Sequence, residues 1–151
     1  MLLREIYEKK HYLFTEEALD WETSIRRACS PLVASGVADE RYEEAIIACI
    51  QKHGPYVVIL PGVCLPHSTE NAEGALGTAI GFMRCSQPVS FAEGNPDKDA
   101  QIFFTLVSTN PDEHMENMQK LYGILTNSEL VEKLKAVSSP EELLELDALC
   151  G

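Results

Sequence analysis

A five-residue segment, Tyr56-Val57-Val58-Ile59-Leu60, constrains the fold of this chain most. It is continuously apolar and rich in β-branched residues, and Gly54-Pro55 just before it stops any preceding helix. Such a run predicts a strand buried on both faces. Residues 77–85 (GTAIGFMRC) and 101–107 (QIFFTLV) read as two further central strands, with a polar loop at 92–99 between them. Helical patterns flank the strands. Residues 39–52 carry Tyr42, Ala45, Ile46, Cys49 and Ile50 at the spacing of an amphipathic stripe. Residues 20–35 form a second helix, with Asp20 as N-cap, Trp21, Ile25 and Ala28 on one face, and Pro31 expected to kink or end it.

After the strands, Asn110-Pro111-Asp112-Glu113 offers an N-cap, a proline at N1 and an acid at N3. Met115, Met118, Tyr122 and Leu125 are expected to supply the core face of that helix, with the two methionines as core residues. A short helix over 128–136 turns Leu130, Val131 and Leu134 inward. Ser139-Pro140-Glu141-Glu142 reads as a capping box opening a last helix through Leu149. Helices at both ends with strands between predict an α/β chain whose sheet is covered on two faces. No internal repeat or linker divides it, so residues 1–151 are expected to be one domain.

Charge narrows the function. The chain has 12 Lys+Arg against 24 Asp+Glu, a formal charge of −12. A nucleic-acid binder needs clustered basic residues, and here they are few and dispersed. Anionic membrane surfaces are disfavoured for the same reason. Basic or locally basic proteins are the expected partners. The hydrophobic fraction of 45% rules out disorder as the whole answer. No membrane span and no signal peptide are read, so direct membrane insertion is not expected. The cysteines at 29, 49, 64, 85 and 150 are odd in number and include no CxxC pair. They predict buried apolar thiols and a reducing, cytoplasmic compartment rather than a disulfide framework.

Four histidines are the candidates for chemistry: His11, His53, His67 and His114. His67 ends a Pro-Gly-x-x-x-Pro turn after the first strand, at the sheet rim where open α/β sheets carry their sites. Position alone leaves it either a hydrogen-bonded structural residue or a functional group. His114 stands in the first turn of its helix, where an imidazole can donate to a phosphate or simply belong to an ordinary helix start. His53 lies at a helix C-terminus, complementing the dipole. His11 sits in a charged N-terminal stretch and is expected to be solvated. Cys64 and His67 are three apart, but no paired CxxC or HxxxH supports zinc, and Cys64 lacks a basic neighbour to make it a thiolate nucleophile. Nucleotide-binding and hydride-transfer motifs are absent.

Pro61-Gly62-Val63-Cys64-Leu65-Pro66-His67 resembles the PG-x-x-x-PH active-site segment of the mannitol–fructose class of enzyme IIA domains, which serve the bacterial phosphoenolpyruvate-dependent sugar phosphotransferase system. The resemblance spans nearly the whole chain: Asp20-Trp21-Glu22, Lys52-His53-Gly54-Pro55-Tyr56, Pro88-Val89-Ser90-Phe91, Asn95-Pro96-Asp97, Asp112-Glu113-His114 and Glu141-Glu142-Leu143-Leu144. His-Gly-Pro-Tyr-Val-Val before the PG segment is most similar to the ascorbate-type proteins. The resemblance implies the mannitol-type fold, an α/β three-layer arrangement with a central mixed sheet of about five strands flanked by helices. It implies that His67 accepts a phosphoryl group from the phosphocarrier HPr and passes it to a cysteine of a cognate enzyme IIB. That enzyme would serve a membrane enzyme IIC importing ascorbate or a similar sugar or polyol. His114 would stabilise the phosphoryl group. Mannitol-type members carry an upstream arginine, and His53 stands in that neighbourhood here. His53 and Ser68 are therefore expected to contact the transferring group. No metal or other cofactor is implied. The alternative is a regulatory module of the same family that binds partners according to phosphorylation.

Overall fold

The computed structural model describes residues 2–68 and 73–149. Five strands form one mixed sheet in the order β1-β4-β5-β3-β2. They are β1 (Tyr12–Thr15), β2 (Val58–Leu60), β3 (Gly62–Cys64), β4 (Ala79–Ser90) and β5 (Asp99–Val107). β1 runs parallel to β4, β4 antiparallel to β5, β5 parallel to β3, and β3 antiparallel to β2. The expected three-layer α/β fold is therefore present.

β5 shows how the layers arise. Ile102, Phe104 and Leu106 point to one face and Phe103 and Val107 to the other, the two-residue period of a strand buried on both sides. One face is covered by α2 (Trp21–Ala34) and α3 (Glu40–His53), which bring Ile25, Leu32, Ile46 and Ile50 against Phe103 and Met83. The other lies under α1 (Leu2–Lys9), α4 (Pro111–Leu125), α5 (Ser128–Lys135) and α6 (Pro140–Asp147). Leu3, Leu121, Leu134 and Leu143 pack there with Phe82 and Phe104.

Several expectations are corrected. The 56–60 run is no central strand: only Val58–Leu60 pair, at the sheet edge, and Ile59 and Leu60 are 44% and 41% exposed. The inner position belongs to Gly62–Cys64, because Gly62 at φ +89° lets the chain reverse and lay β3 between β2 and β5. Pro31 does not end α2, which continues to Ala34. The Arg27 carbonyl that Pro31 cannot reach accepts from the Ser30 hydroxyl at 2.7 Å. The α4 stripe is rotated: Met115 and Tyr122 are 60% and 70% exposed, and Leu121 and Ile124 are buried instead. Asn117, buried in the same line, hid this face from a hydrophobic count. Ser139 makes no side-chain bond to the helix backbone; its hydroxyl and that of Ser138 donate to the Glu142 carboxylate, and α6 closes at Asp147.

The N-terminal residues also form structure. Leu2, Leu3 and Ile6 of α1 are buried, and the Arg4 N–H donates to Asp147 of α6 at 3.2 Å. His11 is only 3% exposed, not solvated. Its Nε2 lies 2.9 Å from the Ser35 hydroxyl at the end of α2, and burial lowers its pKa from the ordinary 6.5. Among the described residues, no helix is long and apolar enough to cross a membrane.

Candidate functional site

The site forms where β3 and β5 end side by side. Cys64 pairs with Phe103, and the Leu106 N–H donates to the Pro66 carbonyl at 2.9 Å, so the pairing runs on to the residue before His67. β5 leads through Asn110 into α4, and His114 lies in the first turn of that helix. His67 and His114 therefore leave the C-terminal ends of two neighbouring parallel strands. The open-sheet rule assigns sites to this end. His114, Asn117, Leu121 and Ile124 follow each other at three- and four-residue steps, so His114 heads the inward line of α4 and is half-buried.

His67 is held from several directions. Its Nδ1 lies 2.5 Å from the Leu65 carbonyl. A carbonyl can only accept, so Nδ1 carries the proton and Nε2 keeps its lone pair. Among the described residues, no partner bonds Nε2, and the ring is half-buried. The Tyr56 hydroxyl donates to the His67 carbonyl, and the two rings meet edge to face with centroids 5.2 Å apart.

Ser68 lies against α3. Its hydroxyl is 3.6 Å from the Cys49 thiol, and its backbone N–H donates to the Tyr42 hydroxyl. Tyr42 in turn donates to the Leu106 carbonyl. Burial pushes the Tyr42 phenol up to about 12 and raises the Tyr56 phenol further, so both remain protonated at neutral pH. His53 is the exposed last residue of α3, one helical turn beyond Cys49 on the same face. Thr69, beside Ser68, lies outside the described residues, as does Cys150.

The structure thus brings His67, Ser68 and the start of α4 to one sheet end, with His53 on the helix that backs them. Tyr42, Cys49 and Tyr56 complete the surroundings. In the sequence Tyr42 and Cys49 register only as members of an apolar stripe, and Tyr56 as the start of an apolar run and the end of a segment that resembles the family, with no role attached. Their polar atoms carry no one-dimensional signal. Cys64 is fully buried, and its thiol pKa is raised well above normal by desolvation, the reverse of what a thiolate nucleophile needs. Among the described residues, no three His, Cys, Asp or Glu side chains are grouped to hold a metal.

Residues 5–147 match the family described as "Phosphoenolpyruvate-dependent sugar phosphotransferase system, EIIA 2". The chain belongs to this family. It is thereby a phosphocarrier component of a sugar-transporting phosphotransferase system. An ascorbate-specific EIIA component of Escherichia coli K12 is 28% identical over 148 residues, covering 97% of this chain and 95% of that protein. Among solved structures, the mannitol-specific cryptic enzyme IIA CmtB of Escherichia coli is 28% identical with a TM-score of 0.83, covering 97% of each chain. The E. coli enzyme IIAMTL, solved in complex with phosphorylated enzyme IIBMTL, shares the fold at 24% identity and a TM-score of 0.75, covering 91% of this chain and 94% of that one.

Proposed function

We propose that this EIIA chain takes a phosphoryl group from HPr onto Nε2 of His67 and delivers it to a cysteine of a cognate enzyme IIB. A membrane enzyme IIC would then import ascorbate or a similar sugar or polyol, and the chain would act in the cytoplasm as one domain spanning residues 1–151. The observation that carries the reading is the Nδ1 hydrogen bond to Leu65, which leaves Nε2 as the nucleophilic nitrogen.

The lone pair of Nε2 attacks phosphorus as the donor's P–N bond breaks, and that electron pair returns to the donor imidazole. On the ring of His67 the positive charge is shared with Nδ1–H, which the Leu65 carbonyl accepts. In the second step a cysteine thiolate attacks phosphorus, and the pair of the breaking P–N bond restores Nε2. Phosphoryl transfer asks for in-line positioning and charge stabilisation, with little covalent work by the protein. His114 at the start of α4 is assigned to stabilise the phosphoryl oxygens. Ser68 beside the nucleophile and His53 at the end of α3 are assigned to bind the transferring group. The family's partnership with enzyme IIB is supported by the complex formed by the mannitol relative, and the ascorbate class by the 28% identical E. coli protein. A net charge of −12 suits encounter with a basic donor, fast and sensitive to salt.

The test is intact mass after incubation with phosphoenolpyruvate, enzyme I and HPr, beside His67→Ala. One acid-labile phosphate on the wild type and none on the variant is expected. No phosphate on the wild type with a competent HPr would overturn the proposal in favour of a regulatory binding module.

A further inference from the structure

Three contacts converge on His67 from a single hydrogen-bonded unit, two on the imidazole and one on the backbone carbonyl. The Leu65 N–H donates to the Val57 carbonyl at 2.8 Å, so the turn that holds Tyr56 and the segment that holds the acceptor of Nδ1 are tied together. The Tyr56 N–H donates to the Gly54 carbonyl at 2.8 Å, in the turn that Gly54 makes at φ +84° to close α3. The Tyr56 side chain therefore projects from a fixed point. Its hydroxyl reaches the His67 carbonyl, its ring lies edge to face with the imidazole, and the Cys49 thiol lies beside its phenol group.

We propose that Tyr56 is a positioning residue for the phosphoryl acceptor, its hydroxyl fixing the His67 backbone over Leu65 and its ring holding the imidazole so that Nε2 faces the donor. The geometry explains why two constraints are present. The Leu65 bond selects the tautomer and the Leu106 N–H holds the Pro66 carbonyl, but neither fixes the His67 carbonyl, on which the geometry of the Nδ1 bond also depends. The Tyr56 bond fixes it, because it ties that carbonyl to the same Gly54–Val57 frame. The ring contact limits rotation of the imidazole about its Cα–Cβ bond. Burial keeps the phenol protonated, so the hydroxyl remains a donor across neutral pH. The proposal rests on His67 being the acceptor for its catalytic consequence, while the orientation itself can be tested separately.

The experiment compares the full-length wild type with Tyr56→Phe, which removes the hydroxyl and keeps the ring. Long-range 15N correlation spectra report the tautomer of His67, and rapid-quench assays with phosphorylated HPr report acceptance. The wild type is expected to show one Nδ1–H tautomer. In Tyr56→Phe a mixture of tautomers is expected, with the acceptance rate at saturating HPr about tenfold lower, as the loss of one positioning bond implies. KM for HPr is expected to stay unchanged, because Tyr56 acts on the imidazole and not on the partner. Cys49→Ala, which leaves Tyr56 in place and removes the thiol against it, is expected to move both readouts the same way by a smaller factor. It serves as the test if Tyr56→Phe fails to fold. Either readout at its wild-type value in the variant overturns the proposal. If the wild type accepts no phosphate, the carrier reading fails and the tautomer spectra alone decide the role of Tyr56.

Discussion

His11 and His67 each have one ring nitrogen hydrogen-bonded within the fold, yet their surroundings make them different groups. His11 sits between α1 and β1, 3% exposed, with Nε2 against Ser35 and burial lowering its pKa. Its bond joins the turn between α1 and β1 to the end of α2. His67 sits at the sheet end, half-buried, with Nδ1 on Leu65 and Nε2 without a bond to any described residue. The difference teaches that a hydrogen bond on one ring nitrogen does not by itself separate a structural histidine from one proposed to do chemistry. In each the other nitrogen keeps a lone pair, and what separates them is whether that nitrogen is reachable. The local sequence placed His67 at the sheet end, where it lies, with prolines framing the turn before it. It pointed the wrong way for His11, because the charges flanking it belong to the outer side of α1.

The largest effect that can break this contrast is on phosphorylation itself. His67→Ala is expected to abolish it, while His11→Ala retains one phosphate per chain by intact mass. Phosphate lost in both would mean that the two histidines are not separable. Next, His114→Ala is expected to keep the phosphate but slow its acquisition by about 10²-fold, the range for removing one preorganised charge-stabilising donor. Rapid-quench kinetics would measure this, and an unchanged rate would remove His114 from the site.

Stability effects are smaller and fall on the other histidine. His11→Ala is expected to cost about 1–3 kcal/mol in urea unfolding, since it leaves a gap and strips Ser35 of a partner. His11 also carries a pH signature. Its folded pKa lies below the unfolded value of 6.5, so between the two the unfolded chain binds more protons. The stabilisation from the neutral ring is complete above 6.5 and is lost as pH falls toward the folded pKa. Urea midpoints at pH 7.5 and 5.0 are expected to differ more in the wild type than in His11→Gln. Equal differences in the two proteins would show that the protonation of His11 is not linked to unfolding. The smallest effect sharpens the α4 assignment. Met115→Ala is expected to shift stability by no more than ~0.5 kcal/mol, against about 2–5 kcal/mol for Leu121→Ala.

Much of the architecture was legible because periodicity survives in one dimension. Residues 39–52 fold as the helix that their stripe describes, and 101–107 lie within the central strand that their apolar run describes. Where a polar residue entered the buried line, as Asn117 does in α4, the stripe was read one position off. Where an apolar run met the sheet edge, as Val58–Leu60 does, composition suggested the centre. An edge strand differs from a central one only in its neighbours, which a linear pattern does not contain.

By itself, the amino-acid sequence determined the element types, the two-sided burial of the sheet and the Pro-Gly-x-x-x-Pro frame before His67. Those are local preferences and repeat spacings, written in consecutive residues. Only the tertiary structure decided that β3 lies beside β5, that His114 starts the helix leaving that same end, and that Tyr42, Cys49 and Tyr56 back the His67–Ser68 segment. Those relations join residues up to 64 positions apart, as in the bond from Tyr42 to Leu106. They exist because the apolar faces of sheet and helices can be buried together in one packed arrangement, and the polar groups carried along must find their partners within it.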